Sequence, residues 1–253
     1  AVIGNIGDDR EGEFCLGRLR DFNVDTRHIR VMKNARTPVA YLFVNRFNGK
    51  RTIIYEPSRL PDIDIPENLD HLLQSAKALS LDPQTTTLGK TLKQRIRPDA
   101  KLVYDCERWK DRLEEMMDTA DYFIPSSAFF DSCKDQFEPG QLFHNIFKLD
   151  TMIKGQLIVT HGDAGAYYAQ GEKLVHVAAP TVPVLDTTGA GDNFHGAFAL
   201  AISRGFDLHN AVRFSVAVAS LSCRAYGGRD AVPDFEEALA MSQRLSSSIV
   251  TLS

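Results

Sequence analysis

From residue 78 onward the chain alternates short β-rich runs with helical stretches, and this rhythm restricts the fold more than any other feature of the sequence. The run at 78–81 ends at Asp82, and the run at 101–104 leads to Asp105. The run at 122–124 ends at Pro125 and Ser126, and the run at 156–160 precedes Gly162. Helical spacing of apolar residues fills the gaps at 68–78, 88–96 and 109–119. Parallel strands need crossovers of about this length, so the pattern predicts an α/β fold: a mostly parallel sheet with helices on both faces. Ligands of such sheets bind beyond the carboxyl ends of the strands, so Asp82, Asp105, Ser126, Gly162 and Asp186 are expected to line one rim. A hairpin is predicted over 166–177, and the last third reads as helical apart from a strand at 182–185. Without an internal repeat or low-complexity linker, residues 1–253 read as one domain.

The first third has a different texture. Residues 1–7 read as a strand and 10–22 as a helix, with Phe14, Leu16, Leu19 and Phe22 at near-helical spacing. Within 37–56, two β-rich runs at 39–44 and 51–55 are joined across Asn48-Gly49, a strong hairpin signal. This hairpin is either an edge of the main sheet or a small separate sheet.

A net charge of −4 gives no reason to expect nucleic acid or an anionic membrane as a partner. The basic run from 90 to 97 reads as a solvated helix face. Cys15, Cys106, Cys133 and Cys223 show neither C-x-x-C nor zinc-ligand spacing, which suits reduced thiols. No apolar run approaches the length of a membrane span and no signal peptide is evident at the start, so a cytoplasmic location is expected.

The stretch with most chemistry in it is Asp186-Thr187-Thr188-Gly189-Ala190-Gly191-Asp192. The β-branched run at 182–185 feeds this Gly-rich turn, and a helix opens out of it. Unpaired N–H groups and the positive dipole end at such a helix start favour an anion. A carboxylate beside them is well placed as a general base if a hydroxyl attacks a phosphoryl group. G-x-G alone would be equally consistent with a polar turn in which Asp192 only complements the helix dipole. Two lookalikes fail: Leu88-Gly89-Lys90-Thr91 lacks the first glycine of a Walker loop, with Gln at 84, and Gly189-x-Gly191 is followed by Phe194 where a dinucleotide fingerprint needs glycine.

The longer string from Asp186 to Phe198, DTTGAGDNFHGAF, resembles the signature of the ribokinase-like (PfkB-type) carbohydrate kinases. Residues 2–9 (VIGNIGDD) resemble that family's early G-x-x-G-D-D segment, 159–165 its strand-then-glycine nucleotide segment, and Gly227-Gly228-Arg229 to Pro233 its closing turn. The resemblance implies ATP and Mg²⁺ as cofactors, Asp192 as general base, and the amides of Gly189, Ala190 and Gly191 as the anion hole. It implies an ATP site at Thr160, Gly162 and Gly165, which alone would equally suit a plain turn. Ser215, Ala219 and Ser222 on the following helix would let a purine lie flat, with Gly227 completing the pocket. A monovalent cation (K⁺) beside Asp186 and Thr188 follows by analogy. The 37–56 hairpin would be a lid over the sugar. Its apolar residues, including Tyr41 and Phe43, predict a homodimer through it.

Asp82, Asp105 and Arg108, with Glu107 beside them, are the candidate contacts for a small-molecule sugar, because polyols need matched carboxylate and guanidinium partners. Each also reads as a helix cap or a surface charge. The family's Asn-x-x-Glu is absent after residue 124, where the sequence runs Pro125-Ser126-Ser127-Ala128-Phe129-Phe130, so no protein metal ligand is assigned. A first strand and a Gly-Gly…Asn sugar motif are expected ahead of Ala1, outside these 253 residues. The resulting expectation is an ATP-dependent sugar kinase. A nucleoside kinase of the same fold and a catalytically silent sugar-binding or regulatory protein stand as alternatives.

Overall fold

The computed structural model describes residues 1–44, 51–56 and 59–251. The chain divides into two compact units, Ala1–Leu69 and Asp70–Ser253.

In the first unit, β1 (Ile3–Gly7) pairs in parallel with β2 (His28–Met32), and α1 (Arg10–Asp21) is the crossover between them. Asp9 sets the start of α1. Its Oδ1 accepts the Gly12 N–H at 2.9 Å, and its carboxylate also takes the Thr37 N–H (2.7 Å) and hydroxyl (2.6 Å). These bonds, the Thr37 hydroxyl foremost, hold Asp9 below the usual carboxylate range. Glu11 and Glu13 in the first turn and Arg18 and Arg20 in the last complement the helix dipole. β3 (Ala40–Val44) and β4 (Arg51–Tyr55) pair antiparallel, with Ala40 opposite Tyr55. They form a two-stranded sheet of their own, which removes the edge-strand alternative. The Asn48-Gly49 turn lies outside the described residues.

The second unit runs α2 (Asp70–Ser75), β5 (Ala78–Leu81), α3 (Gly89–Arg95), β6 (Lys101–Cys106), α4 (Leu113–Met117), β7 (Tyr122–Pro125), α5 (Ala128–Ser132) and α6 (Leu142–Asp150). It continues with β8 (Gln156–Thr160), β9 (Ala166–Gln170), β10 (Lys173–Val177), α7 (Ala190–Ser203), α8 (Leu208–Ser222), α9 (Phe235–Ser242) and β11 (Ser247–Val250). The sheet order is β11-β10-β9-β8-β7-β6-β5. β5 to β8 are mutually parallel, and β9, β10 and β11 each reverse direction, so five strands (β5, β6, β7, β8 and β10) run one way. Helices flank this sheet.

Near-continuous apolar strands account for that burial. Leu102, Val103, Phe123, Ile124, Leu157, Ile158 and Val159 are fully buried, each stabilising the fold by about 1.5–3 kcal/mol. The Phe198 ring of α7 meets Tyr122 of β7 edge-on at 4.9 Å. α7 packs along α8 and across β5 and β6. Asp207 caps α8 through the Asn210 N–H, and Asp234 caps α9 through the Glu237 N–H, each at 2.8 Å.

Three expectations are corrected. Residues 182–185 are not a strand: Pro183 has no N–H to pair, and the Leu185 N–H turns instead to the Cys223 carbonyl at 2.9 Å. The last third is not purely helical, because β11 pairs with β10. The helix predicted over 109–119 is only Leu113–Met117, since Arg112 takes a left-handed conformation (φ 61°) that interrupts it.

Candidate active site

The parallel register sets the strand ends level with one another. Leu81 stands opposite Tyr104 and Cys106 opposite Pro125, while Ser126 bridges to Thr160. Asp82, Asp105, Ser126 and Gly162 therefore share one end of the sheet, as expected. Asp186 follows no strand, and its N–H is held by the Cys223 carbonyl at 3.3 Å.

The signature loop is built around Asp186, which is only 3% exposed. Its Oδ1 accepts the Thr188 N–H (2.9 Å) and hydroxyl (2.7 Å), and its Oδ2 accepts the Gly227 N–H at 2.8 Å. One buried carboxylate thus ties the turn to the 227–228 segment. Gly189 then takes φ 73°, a left-handed position that a side chain disfavours, and caps α7 without any capping side chain. The start of α7 keeps its dipole end for another anion. The side chain of Asn193 donates to the Gly228 carbonyl at 3.0 Å, and so locks the helix to the same segment.

A pocket of about 110 Å³ opens beside this helix start. It is lined by Thr160, Gly162 and Gly165, by Ala190 and Gly191 of α7, and by Val216, Ala219 and Ser220 of α8. The expected nucleotide loop and the expected anion hole therefore meet in one cavity. At Gly165 (φ 100°) a Cβ would run into the Val177 carbonyl, so the backbone itself forms that wall. Ser215 and Ser222 do not line the pocket. Both are buried, and their hydroxyls donate to Ala211 and Ala219 carbonyls within α8. Gly227 serves Asp186 instead. Among the described residues no group of three or more His, Cys, Asp or Glu side chains could hold a metal ion.

The candidate acceptor residues differ in character. Asp82 is exposed and caps the turn at 83–88, with Oδ1 accepting from Gln84 (2.9 Å) and Thr85 (3.1 Å). Arg108 is exposed beside Glu107, at 3.1 Å. Asp105 is half-buried: desolvation first, then repulsion from Asp192, Glu107 and Asp82, pushes its carboxyl up to about 7. Its Oδ1 lies 3.4 Å from Nε2 of His195, and burial pushes that imidazole down to about 4. Asp192 is exposed in the first turn of α7, near enough to Asp105 to raise it.

Asn193, His195 and Gly228 lie in motifs that the sequence offers, but none was given a role of its own. For His195 one signal was present, because it follows Asp192 at i+3 and such residues share a helix face.

A model of the pfkB family of carbohydrate kinases matches residues 1–234. The chain is 26% identical to ribokinase of Bacillus subtilis over 242 residues, covering 93% of this chain and 79% of that protein. It is 27% identical to fructokinase-2 of Solanum lycopersicum over 273 residues, covering 95% and 80%. Among solved structures, Arabidopsis thaliana ribokinase complexed with ribose and ATP superposes with a TM-score of 0.79 at 22% identity, covering 95% of this chain and 81% of that one. With the family match spanning residues 1–234, the chain belongs to the pfkB family of carbohydrate kinases.

Proposed function

We propose that this chain phosphorylates a hydroxyl group of a sugar with the γ-phosphoryl group of ATP. The observation that supports this best is the start of α7. This helix terminus, which has no side-chain cap, opens into the pocket lined by Thr160 and Gly191, with the Asp192 carboxylate on the same turn. The pocket wall formed by Gly162 and Gly165 has no side chain to keep a nucleotide from the backbone. Val216 and Ala219 offer an apolar surface for a flat base. The phosphates then lie toward the amides of Gly189, Ala190 and Gly191, which stabilise charge on the transferred group. Asp192 accepts the proton of the attacking hydroxyl. Asp105 and Asp82 accept hydrogen bonds from neighbouring hydroxyls of the sugar.

Magnesium enters as the partner of the phosphates. Such an ion would neutralise charge on the phosphate oxygens.

The β3–β4 ribbon exposes apolar side chains on both faces, Tyr41, Phe43 and Ile54 on one and Leu42, Ile53 and Tyr55 on the other. A two-stranded ribbon of this kind is marginal alone. We assign one face to a second copy of this chain, and the lid role of the ribbon rests on the family resemblance.

The test is ADP formation from Mg-ATP with a panel of aldoses, ketoses, sugar acids and nucleosides. Turnover confined to sugars supports the reading. Turnover confined to nucleosides, or binding of sugar without ADP formation, overturns it.

A further inference from the structure

His195 is given no part in the chemistry above, yet it is among the few buried polar side chains of the second unit, at 7% exposure. Its Nε2 lies 3.4 Å from Oδ1 of Asp105. Its Nδ1 is buried and has no hydrogen-bond partner among the described residues. A neutral imidazole carries one N–H, and two placements compete. With the proton on Nδ1, a buried donor would be orphaned and the Nε2 lone pair would face a carboxylate oxygen. With the proton on Nε2, the donor sits 3.4 Å from Oδ1, at the outer limit of a hydrogen bond, and only an acceptor is left unpaired, which is the less costly defect.

We propose that His195, as the neutral Nε2–H tautomer, is a positioning residue that holds Oδ1 of Asp105 and leaves Oδ2 to accept hydroxyl groups of the acceptor. This inference rests on the sugar-kinase reading of Asp105. It also narrows the substrate at this end of the site. Asp192 on α7, Asp82 after β5 and Glu107 after β6 surround Asp105 with negative charge, against which Lys110 is the facing cation, and the Cys106 thiol is pushed up beside it. A carboxylate or phosphate would be repelled there, so the acceptor presents uncharged hydroxyls to Asp105.

Two measurements on the full chain test this. Long-range ¹H–¹⁵N spectra of the imidazoles, compared with His195→Leu for assignment, should show His195 neutral from about pH 5.5 to 8, with Nε2 protonated at the upper end of that range, where Asp105 is ionised. Its shifts should inflect near neutrality as Asp105 ionises, and Asp105→Asn should remove the inflection. A Nδ1–H tautomer, an imidazolium over most of that range, or an inflection that survives Asp105→Asn overturns the proposal. In ADP-release assays with D-ribose, D-fructose and any other acceptor turned over, His195→Leu should raise KM about tenfold, the worth of one charge-assisted hydrogen bond. Its kcat should stay within about threefold, and His195→Asn, which can still donate, should restore KM. A loss confined to kcat, or no rescue by Asn, counts against positioning. Absence of turnover with every acceptor would sink the kinase reading instead, while the imidazole spectra still decide the tautomer.

Discussion

Gly189 and Gly228 approach so closely that a Cβ built on Gly189 would lie 2.9 Å from the Gly228 Cα. The contact joins the turn before α7 to the 227–228 segment, which Asp186 and Asn193 also hold. The start of α7 is therefore fixed from outside the signature. Gly189→Ala meets both this contact and a left-handed φ. The expected cost is about 1–3 kcal/mol of stability, with a fall in kcat as the amides move. Denaturant midpoints and kcat measured together check this, and an alanine variant with unchanged values of both would contradict it.

Asp186→Asn tests the clamp. An amide can accept at one atom only, so one of the Thr188 or Gly227 donors would face an NH₂ group in a buried site. The loss should be about 1–3 kcal/mol, the cost of an unsatisfied buried group. Thermal unfolding of the purified variant measures it, and an unchanged midpoint would show that the clamp contributes nothing.

Asp105 gives a pH dependence with a definite sign. Its folded value, about 7, lies well above the ordinary 3.8, so between these values the folded chain holds a proton that the unfolded chain has released. Its contribution to stability is therefore present at low pH and is lost as pH rises toward 7. Asp105→Asn cannot ionise, so its stability relative to the parent protein should increase from pH 4 to pH 8, with a ceiling of roughly 4 kcal/mol. Activity on the sugar should fall in the same variant. Urea midpoints at the two pH values decide the point, and an equal difference at both would contradict the shift.

The exposed ribbon predicts an oligomer. Tyr41 and Phe43 are 67% and 62% exposed on one face of β3. Tyr41→Asp combined with Phe43→Asp should convert a dimer at micromolar concentration into a monomer in sedimentation. A parent protein that is already monomeric would remove this assignment.

Much of this was legible because the determinants are local. The strands β5 to β8 are apolar runs of strand length, each followed by a polar or glycine residue that turns the chain at the rim. The helix start at Ala190 is announced by Gly189 and Gly191. What was missed depends on packing between distant segments. His195 reads as an ordinary helical residue until α7 lies across β6 and brings it to Asp105. Gly228 gains its role only through contact with Gly189, and Ser215 and Ser222 are small residues on a buried part of α8. The false strand at 182–185 came from β-branched composition, which Pro183 and the Cys223 carbonyl override. β11 is short and half serine, so its pairing with β10 left little pattern to read.

The central claim is that Asp192 takes the proton of the acceptor hydroxyl at a nucleotide site formed by the α7 start. The most direct measurement is kcat for Asp192→Asn on the acceptor the parent protein turns over, together with ATP affinity by calorimetry. The account predicts a fall in kcat of about 10²–10⁴, with nucleotide affinity little changed. Turnover close to that of the parent protein would contradict it, and so would a loss of activity explained by failure to bind ATP.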